Sequence, residues 1–248
     1  MSQPKIALVT GGSSGIGFGI AQRFLDERYS TIITGRNENK LEAAARELGA
    51  GCFPYRFDLA DLEGIPDFVQ DVVREHGRID VLVNNAGVNA KKSMLEVTNE
   101  EFGNIVRINQ SALFALTREV AKVMMKQQQK GSIVHISSMA AHYGLPGVVS
   151  YAGSKTAVEG MTRVMAVELS PHGIRVNCIA PGFIETPMSA KALNNDPERK
   201  KRVLTRTPMG VLGKPAHVAD AAFFLASDQA AFITGEILKV DGGNSIGF

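Results

Sequence analysis

Residues 6–18 read Ile6-Ala7-Leu8-Val9-Thr10-Gly11-Gly12-Ser13-Ser14-Gly15-Ile16-Gly17-Phe18. An apolar run passes through a glycine-rich turn into a stretch where Ile16, Ile20, Phe24 and Leu25 share one helical face. Strand, turn and helix in that order make a βα unit. At such a turn the backbone N–H groups and the helix dipole can cradle a pyrophosphate. Glycine is required there because a side chain would block the turn, the phosphate approach, or the packing of helix on sheet.

Outward from this unit, short β-branched runs alternate with helical periodicity, the pattern of a parallel sheet covered on both faces. Strands are predicted at 6–10, 31–34, 52–57, 81–83, 133–136, 176–179 and 237–240, with Pro54 an awkward residue inside the third. Helices are predicted at 41–48, 62–75, 151–169 and 216–227. A long helix opens at a capping box, Thr98 with Glu101, and carries Phe102, Ile105, Val106, Leu113, Phe114 and Leu116. The polar, partly basic stretch 189–207 interrupts the alternation and reads as an exposed, mobile insertion, the substrate-side part of the chain from about 188 to 207. The expected architecture is one α/β domain over 1–248, a doubly wound (Rossmann) parallel sheet of seven strands.

Composition narrows the function. The 248 residues are 44% hydrophobic and 21% charged, enough to build a large core without covalent staples. Lys and Arg number 27 against 25 Asp and Glu, a formal charge of +2, which lacks the basic excess of a dedicated nucleic-acid binder. Two cysteines, Cys52 and Cys178, supply neither a disulfide framework nor a zinc site, so no metal is expected. The sequence shows no membrane span and no export signal, and the expectation is a cytoplasmic protein.

At the end of strand two, where an NAD-preferring domain offers a carboxylate to the ribose, this chain has Thr34-Gly35-Arg36-Asn37. Arg36 can pair with a 2′-phosphate, which favours NADP(H) over NAD(H). Asp58, followed by Leu59, ends strand three and either accepts from the adenine amino group or caps the next helix. Asn84-Asn85-Ala86-Gly87 ends strand four. Tyr151 and Lys155 are spaced i, i+4 and so share a helix face. Ser137 and Ser138 end strand five and Asn109 lies in the preceding helix, all at the same edge of the sheet.

With T-G-x-x-x-G-x-G at 10–17, N-N-A-G at 84–87 and Y-x-x-x-K at 151–155, the chain resembles the short-chain dehydrogenase/reductase family, single-domain group. Pro181-Gly182 with Thr186, Gly213 with Pro215, and Asp241-Gly242-Gly243 extend the match along the whole sequence. The resemblance selects Ser138, 13 residues before the tyrosine, over Ser137. It implies that Tyr151 is the general acid that protonates a carbonyl oxygen during reduction and the base in reverse. Lys155 would stabilise the phenolate and hold the nicotinamide ribose, Ser138 would donate to the substrate oxygen, and Asn109 would hold a water leading from Lys155 to solvent. Cofactor contacts would come from Gly11, Ser13, Ser14, Gly15, Ile16, Gly17, Arg36, Asn37, Asp58, Leu59, Asn85, Ala86, Gly87, Tyr151, Lys155, Pro181, Gly182, Ile184 and Thr186. Ser14 departs from the basic residue that many NADP-using members carry before the glycine, leaving the phosphate to Arg36 alone.

Met139, His142, Phe183 and Met188 are the candidate substrate residues. They suit a carbonyl or alcohol of medium size: a 3-oxoacyl thioester, keto acid, sugar or ketone. Within the family the nearest appearance is to 3-oxoacyl carrier-protein reductases and to sugar or keto-acid reductases. A carrier-bound substrate would use Lys126, Lys130 and the basic cluster 199–202. Fold does not fix function, so a non-catalytic NADP-binding sensor is the alternative. Phe114, Leu116, Val120, Val123, Val158, Met161 and Met165 exceed what one sheet face would cover, which predicts a homo-oligomer, the tetramer usual in the family.

Overall fold

The computed structural model describes residues 4–127, 130–187, 189–190 and 196–247. Seven parallel strands form one sheet in the order β3-β2-β1-β4-β5-β6-β7. They are β1 (Ile6–Thr10), β2 (Ser30–Gly35), β3 (Cys52–Arg56), β4 (Val81–Asn84), β5 (Gly131–Ile136), β6 (Ile174–Pro181) and β7 (Ile237–Val240). Pro54 is accommodated because β3 is an edge strand, paired only with β2, where a missing N–H leaves no ladder bond unmade on the open side. The chain runs outward from β1 to β3 and then returns to place β4 on the other side of β1. That reversal opens a crevice at the carboxyl ends of β1 and β4.

The central strands are buried on both faces, and their side chains alternate between two cores. Leu8, Ile32, Leu82 and Ile133 meet Phe68 and Val72 of α3 (Ile65–His76) and Leu116 and Val120 of α5 (Ala112–Lys126). Ala7, Val9, Val83 and Val134 meet Ile20 and Phe24 of α1 (Gly15–Asp26) and Val218 and Ala222 of α8 (Pro215–Ala226). The remaining helices are α2 (Glu38–Leu48), α4 (Asn99–Val106), α6 (Val149–Leu169) and α7 (Pro197–Arg206).

Several expectations are corrected. The third helix begins at Ile65, after Gly64, because Asp58 and Asp61 are occupied in the preceding turns. The long helix opening at Thr98 has its capping box but is not continuous: α4 gives way to a π-helical turn, Arg107–Ser111, before α5. Within 189–207 the basic part is helical, forming α7, started by the Asp196 cap and seated through buried Val203. Leu116, Val120, Val123 and Val158 lie in the core and leave no face for a partner, whereas Phe114 is exposed.

Candidate active site

The end of β1 is sewn to the end of β4. Thr10 Oγ1 accepts from the amides of Asn85 and Ala86 at 3.0 Å each, and Asn85 Nδ2 donates to the Thr10 carbonyl at 2.9 Å. Between them lies the glycine turn. Gly15 has φ +59°, and a Cβ at Gly17 would strike the Gly11 carbonyl and Asn85 Nδ2, so neither position tolerates a side chain. Ser14 is the N-cap of α1 but makes no capping bond with its hydroxyl, and the first helical bond runs from Phe18 N–H to the Ser14 carbonyl. Gly15 and Ile16, which line the crevice, therefore present helix-terminal amide donors there.

A cleft of about 540 Å³ extends from this turn. Gly11, Ser13, Ser14, Gly15, Ile16, Arg36, Asp58, Leu59, Asn85, Ala86, Gly87, Pro181, Gly182, Ile184 and Thr186 line it, together with Ser138, Tyr151 and Lys155. The sequence-predicted site residues largely converge. Gly17 stands behind the turn rather than in the wall, and Asn37 caps α2 by accepting from Lys40 N at 3.0 Å. Asp58 accepts from Ala60 N at 3.0 Å within its own turn, which sets aside the helix-cap reading. Among the described residues no carboxylate pairs with Arg36; this guanidinium, the helix-terminal donors and the glycine cradle together fit a phosphorylated dinucleotide, while the neighbouring Glu38 pairs with Arg56 at 3.7 Å.

At the far end of the cleft, Lys155 is buried, with Nζ donating to the Ile136 carbonyl at 2.7 Å and lying 5.7 Å from the Tyr151 ring centre. Burial lowers its pKa to about 8, with Cys178 acting weakly in the opposite direction. Burial also raises the Tyr151 phenol, against which a hydrogen bond with Ser138 works to lower it. Ser138 is held by its own side chain, which accepts from Ala140 N at 3.1 Å and starts the short 3-10 turn Met139–Ala141. Asn109 sits fully enclosed on the π turn, bonded both ways to the Val88 backbone at 2.9 Å and to Ser154 Oγ at 3.0 Å. A Cβ at Gly87 would lie 3.2 Å from Asn109 Oδ1 and 3.4 Å from Lys155 Nζ, so the two side chains flank the same backbone.

A family profile described as Enoyl-(Acyl carrier protein) reductase matches residues 11–245. The chain is 41% identical to the 3-oxoacyl-[acyl-carrier-protein] reductase FabG of Thermotoga maritima over 96% of this chain and 97% of that one. The protein belongs to the short-chain dehydrogenase/reductase family. A 3alpha-hydroxysteroid dehydrogenase of Mediterraneibacter gnavus is 38% identical, with 98% of this chain and 97% of that one covered. Among solved structures, a single-residue variant of actinorhodin polyketide ketoreductase with NADPH superposes with TM-score 0.93 at 32% identity, covering 99% of this chain and 100% of that one. A further short chain dehydrogenase/reductase family protein superposes with TM-score 0.88 at 35% identity, covering 97% of each. This short-chain dehydrogenase/reductase is thus an NAD(P)-dependent oxidoreductase acting between C=O and CH–OH.

Of the candidate substrate residues of this short-chain dehydrogenase/reductase, Met139 and Phe183 line the cleft. His142 does not; its ring turns to Glu159, 3.0 Å away, and Tyr143 stands in the wall instead. Met188 lies outside the described residues. Leu145 and Val148 also line the cleft, as does Arg199 at the start of the basic cluster 199–202. Sequence reasoning likewise leaves Thr10 without a role, although a threonine ending a strand beside an Asn-rich strand end is a recognisable clamp.

Proposed function

We propose that the protein reduces 3-oxoacyl thioesters with NADPH, the acyl chain being delivered on a carrier protein. The observation that carries this reading is the convergence of Ser138, Tyr151 and Lys155 on the cleft that the glycine turn and Arg36 open at its other end. The substrate class is supported by likeness to the 3-oxoacyl carrier-protein reductases and by apolar walls at Met139, Leu145, Val148 and Phe183.

The Gly15 and Ile16 amides would take the pyrophosphate, Arg36 the 2′-phosphate, Asp58 the adenine edge, and Thr186 with the backbone at Pro181 and Gly182 the carboxamide. Bound NADPH supplies the hydride. Tyr151 Oη gives its proton to the carbonyl oxygen while Ser138 Oγ donates a hydrogen bond to that oxygen. The phenolate left behind is stabilised by the Lys155 ammonium. Asn109, on the π turn, holds the water through which Lys155 regains a proton from solvent. Arg199 lines the cleft and the basic face of α7 offers the acidic carrier a positive approach, whereas Lys126, at the end of α5, and Lys130, just ahead of β5, lie at the opposite, amino-terminal edge of the sheet and take no part in it.

Two unpaired cysteines suit the reducing cytoplasm, and no helix among the described residues is long and apolar enough to cross a membrane. Phe102, Phe114, Val164 and Val167 on α4, α5 and α6 are exposed, and a homotetramer would cover them. The test of the reading is NADPH oxidation at about 340 nm with acetoacetyl-coenzyme A, keto acids, keto sugars and simple ketones; turnover confined to the last three would reject the thioester assignment.

A further inference from the structure

Glu159 is a buried carboxylate one helical turn beyond Lys155, on α6, and it has no part in the reaction as described above. Burying a carboxylate is strongly unfavourable unless hydrogen bonds replace its water. Here they do. Oε1 of Glu159 accepts from Ser137 Oγ at 2.7 Å and faces His142 Nε2 at 3.0 Å. Ser137 and His142 bracket the segment that carries Ser138 and the 3-10 turn behind it. Ser137 Oγ also lies 3.2 Å from the Lys155 carbonyl, a longer alternative acceptor on the same helix for its one proton. One oxygen therefore ties both ends of the Ser138 segment to the helix that carries Tyr151 and Lys155.

Ser138 and Tyr151 come from different elements, and their hydroxyls must share one substrate oxygen. Covalent continuity does not fix that register, because residues 143–148 run as an open loop between the turn and α6. We infer that Glu159 is a positioning residue for reduction: through Ser137 and His142 it locks the Ser138 turn onto α6 and so sets the spacing between Ser138 and Tyr151. His142 thereby changes role, from a candidate substrate contact to one of the two tethers. The ionisable groups placed against Glu159 are His142 from the turn and Cys178 from β6, whose thiol is pushed up partly by this carboxylate. Because neutral imidazole can still donate from Nε2, the tether does not require His142 to be charged.

The inference rests on the reading of Tyr151 and Ser138 given above. It is tested by kcat for acetoacetyl-coenzyme A reduction, counted per NADPH-binding site from nicotinamide fluorescence, a convenient signal in a chain without tryptophan. Glu159→Ala should lose about 10- to 100-fold in kcat per site, the cost of a misplacement near 1 Å, with NADPH affinity held within about threefold. Glu159→Gln keeps an oxygen for both donors and should retain most of the rate. If Glu159→Ala does not fold, Ser137→Ala and His142→Phe each cut one tether and should each lose several-fold in kcat per site. A loss of NADPH sites with kcat per site unchanged would mean ordinary structural support and would overturn the inference. So would a Gln variant as slow as the Ala variant. Absence of turnover by the unaltered protein would instead fail the functional reading, and the inference would fall with it.

Discussion

The Lys155 ammonium sits 5.7 Å from the centre of the Tyr151 ring, with its position set by a 2.7 Å bond to the Ile136 carbonyl at the end of β5. The lysine is anchored by the sheet, so its charge is presented to the phenol without needing a salt-bridge partner. Its pKa of about 8 makes that charge pH-dependent near neutrality.

Below about pH 8 Lys155 is charged and favours the phenolate; above it the charge is lost, because burial has lowered the value from that of a free lysine. The rate of reduction, followed as kcat/KM for the carbonyl substrate, should therefore fall as pH rises through about 8. Lys155→Ala should lose at least about 100-fold and show no such limb, as expected when a general-acid system loses its cation.

Arg36 lines the cleft just after Gly35, where the proposed site would receive a 2′-phosphate. Removing a charge-assisted hydrogen bond costs roughly 1.5–3 kcal/mol, so Arg36→Ala should raise KM for NADPH about 10- to 100-fold. KM for NADH should hardly move. Equal losses for both cofactors would place Arg36 outside the phosphate site.

At Gly17 even one methyl group would meet the Gly11 carbonyl and Asn85 Nδ2. Gly17→Ala should cost about 1–3 kcal/mol in denaturant unfolding and should weaken dinucleotide binding at the same time, since the turn itself must move. The exposed Gly153, whose added Cβ would meet nothing within 4 Å, is the control expected to be near neutral.

Light scattering should give a mass about four times that of one chain, as expected if the proposed tetramer covers the exposed Phe102, Phe114, Val164 and Val167. Phe114→Glu should shift that mass downward. A monomeric mass for the unaltered chain would contradict the tetramer.

What is legible in the sequence follows the range of the interactions involved. The glycine turn, the Thr98–Glu101 box and the Tyr151–Lys155 spacing are local, with the deciding atoms within a few residues of each other. The strands are equally plain because β1, β4 and β5 are buried on both faces and read as continuous apolar runs. Periodicity does not say which apolar face meets the protein itself. Leu116 and Val120 belong to the core, while Phe114 beside them does not. The π turn at Asn109 is invisible in the sequence because Asn109 is held by Val88 and Ser154, 21 and 45 residues away. Sequence alone assigns His142 to substrate for the same reason: its partner, Glu159, lies on another element.

In the proposed reduction Tyr151 delivers the proton to the carbonyl oxygen, with Ser138 and Lys155 supporting it. Single-turnover oxidation of pre-bound NADPH by acetoacetyl-coenzyme A, compared between the unaltered protein and Tyr151→Phe, tests it most directly. The variant should bind NADPH with unchanged affinity and lose on the order of 100- to 10,000-fold in the oxidation step, the usual worth of a positioned general acid. A Tyr151→Phe variant that oxidises NADPH at a rate comparable to the unaltered protein would contradict the account.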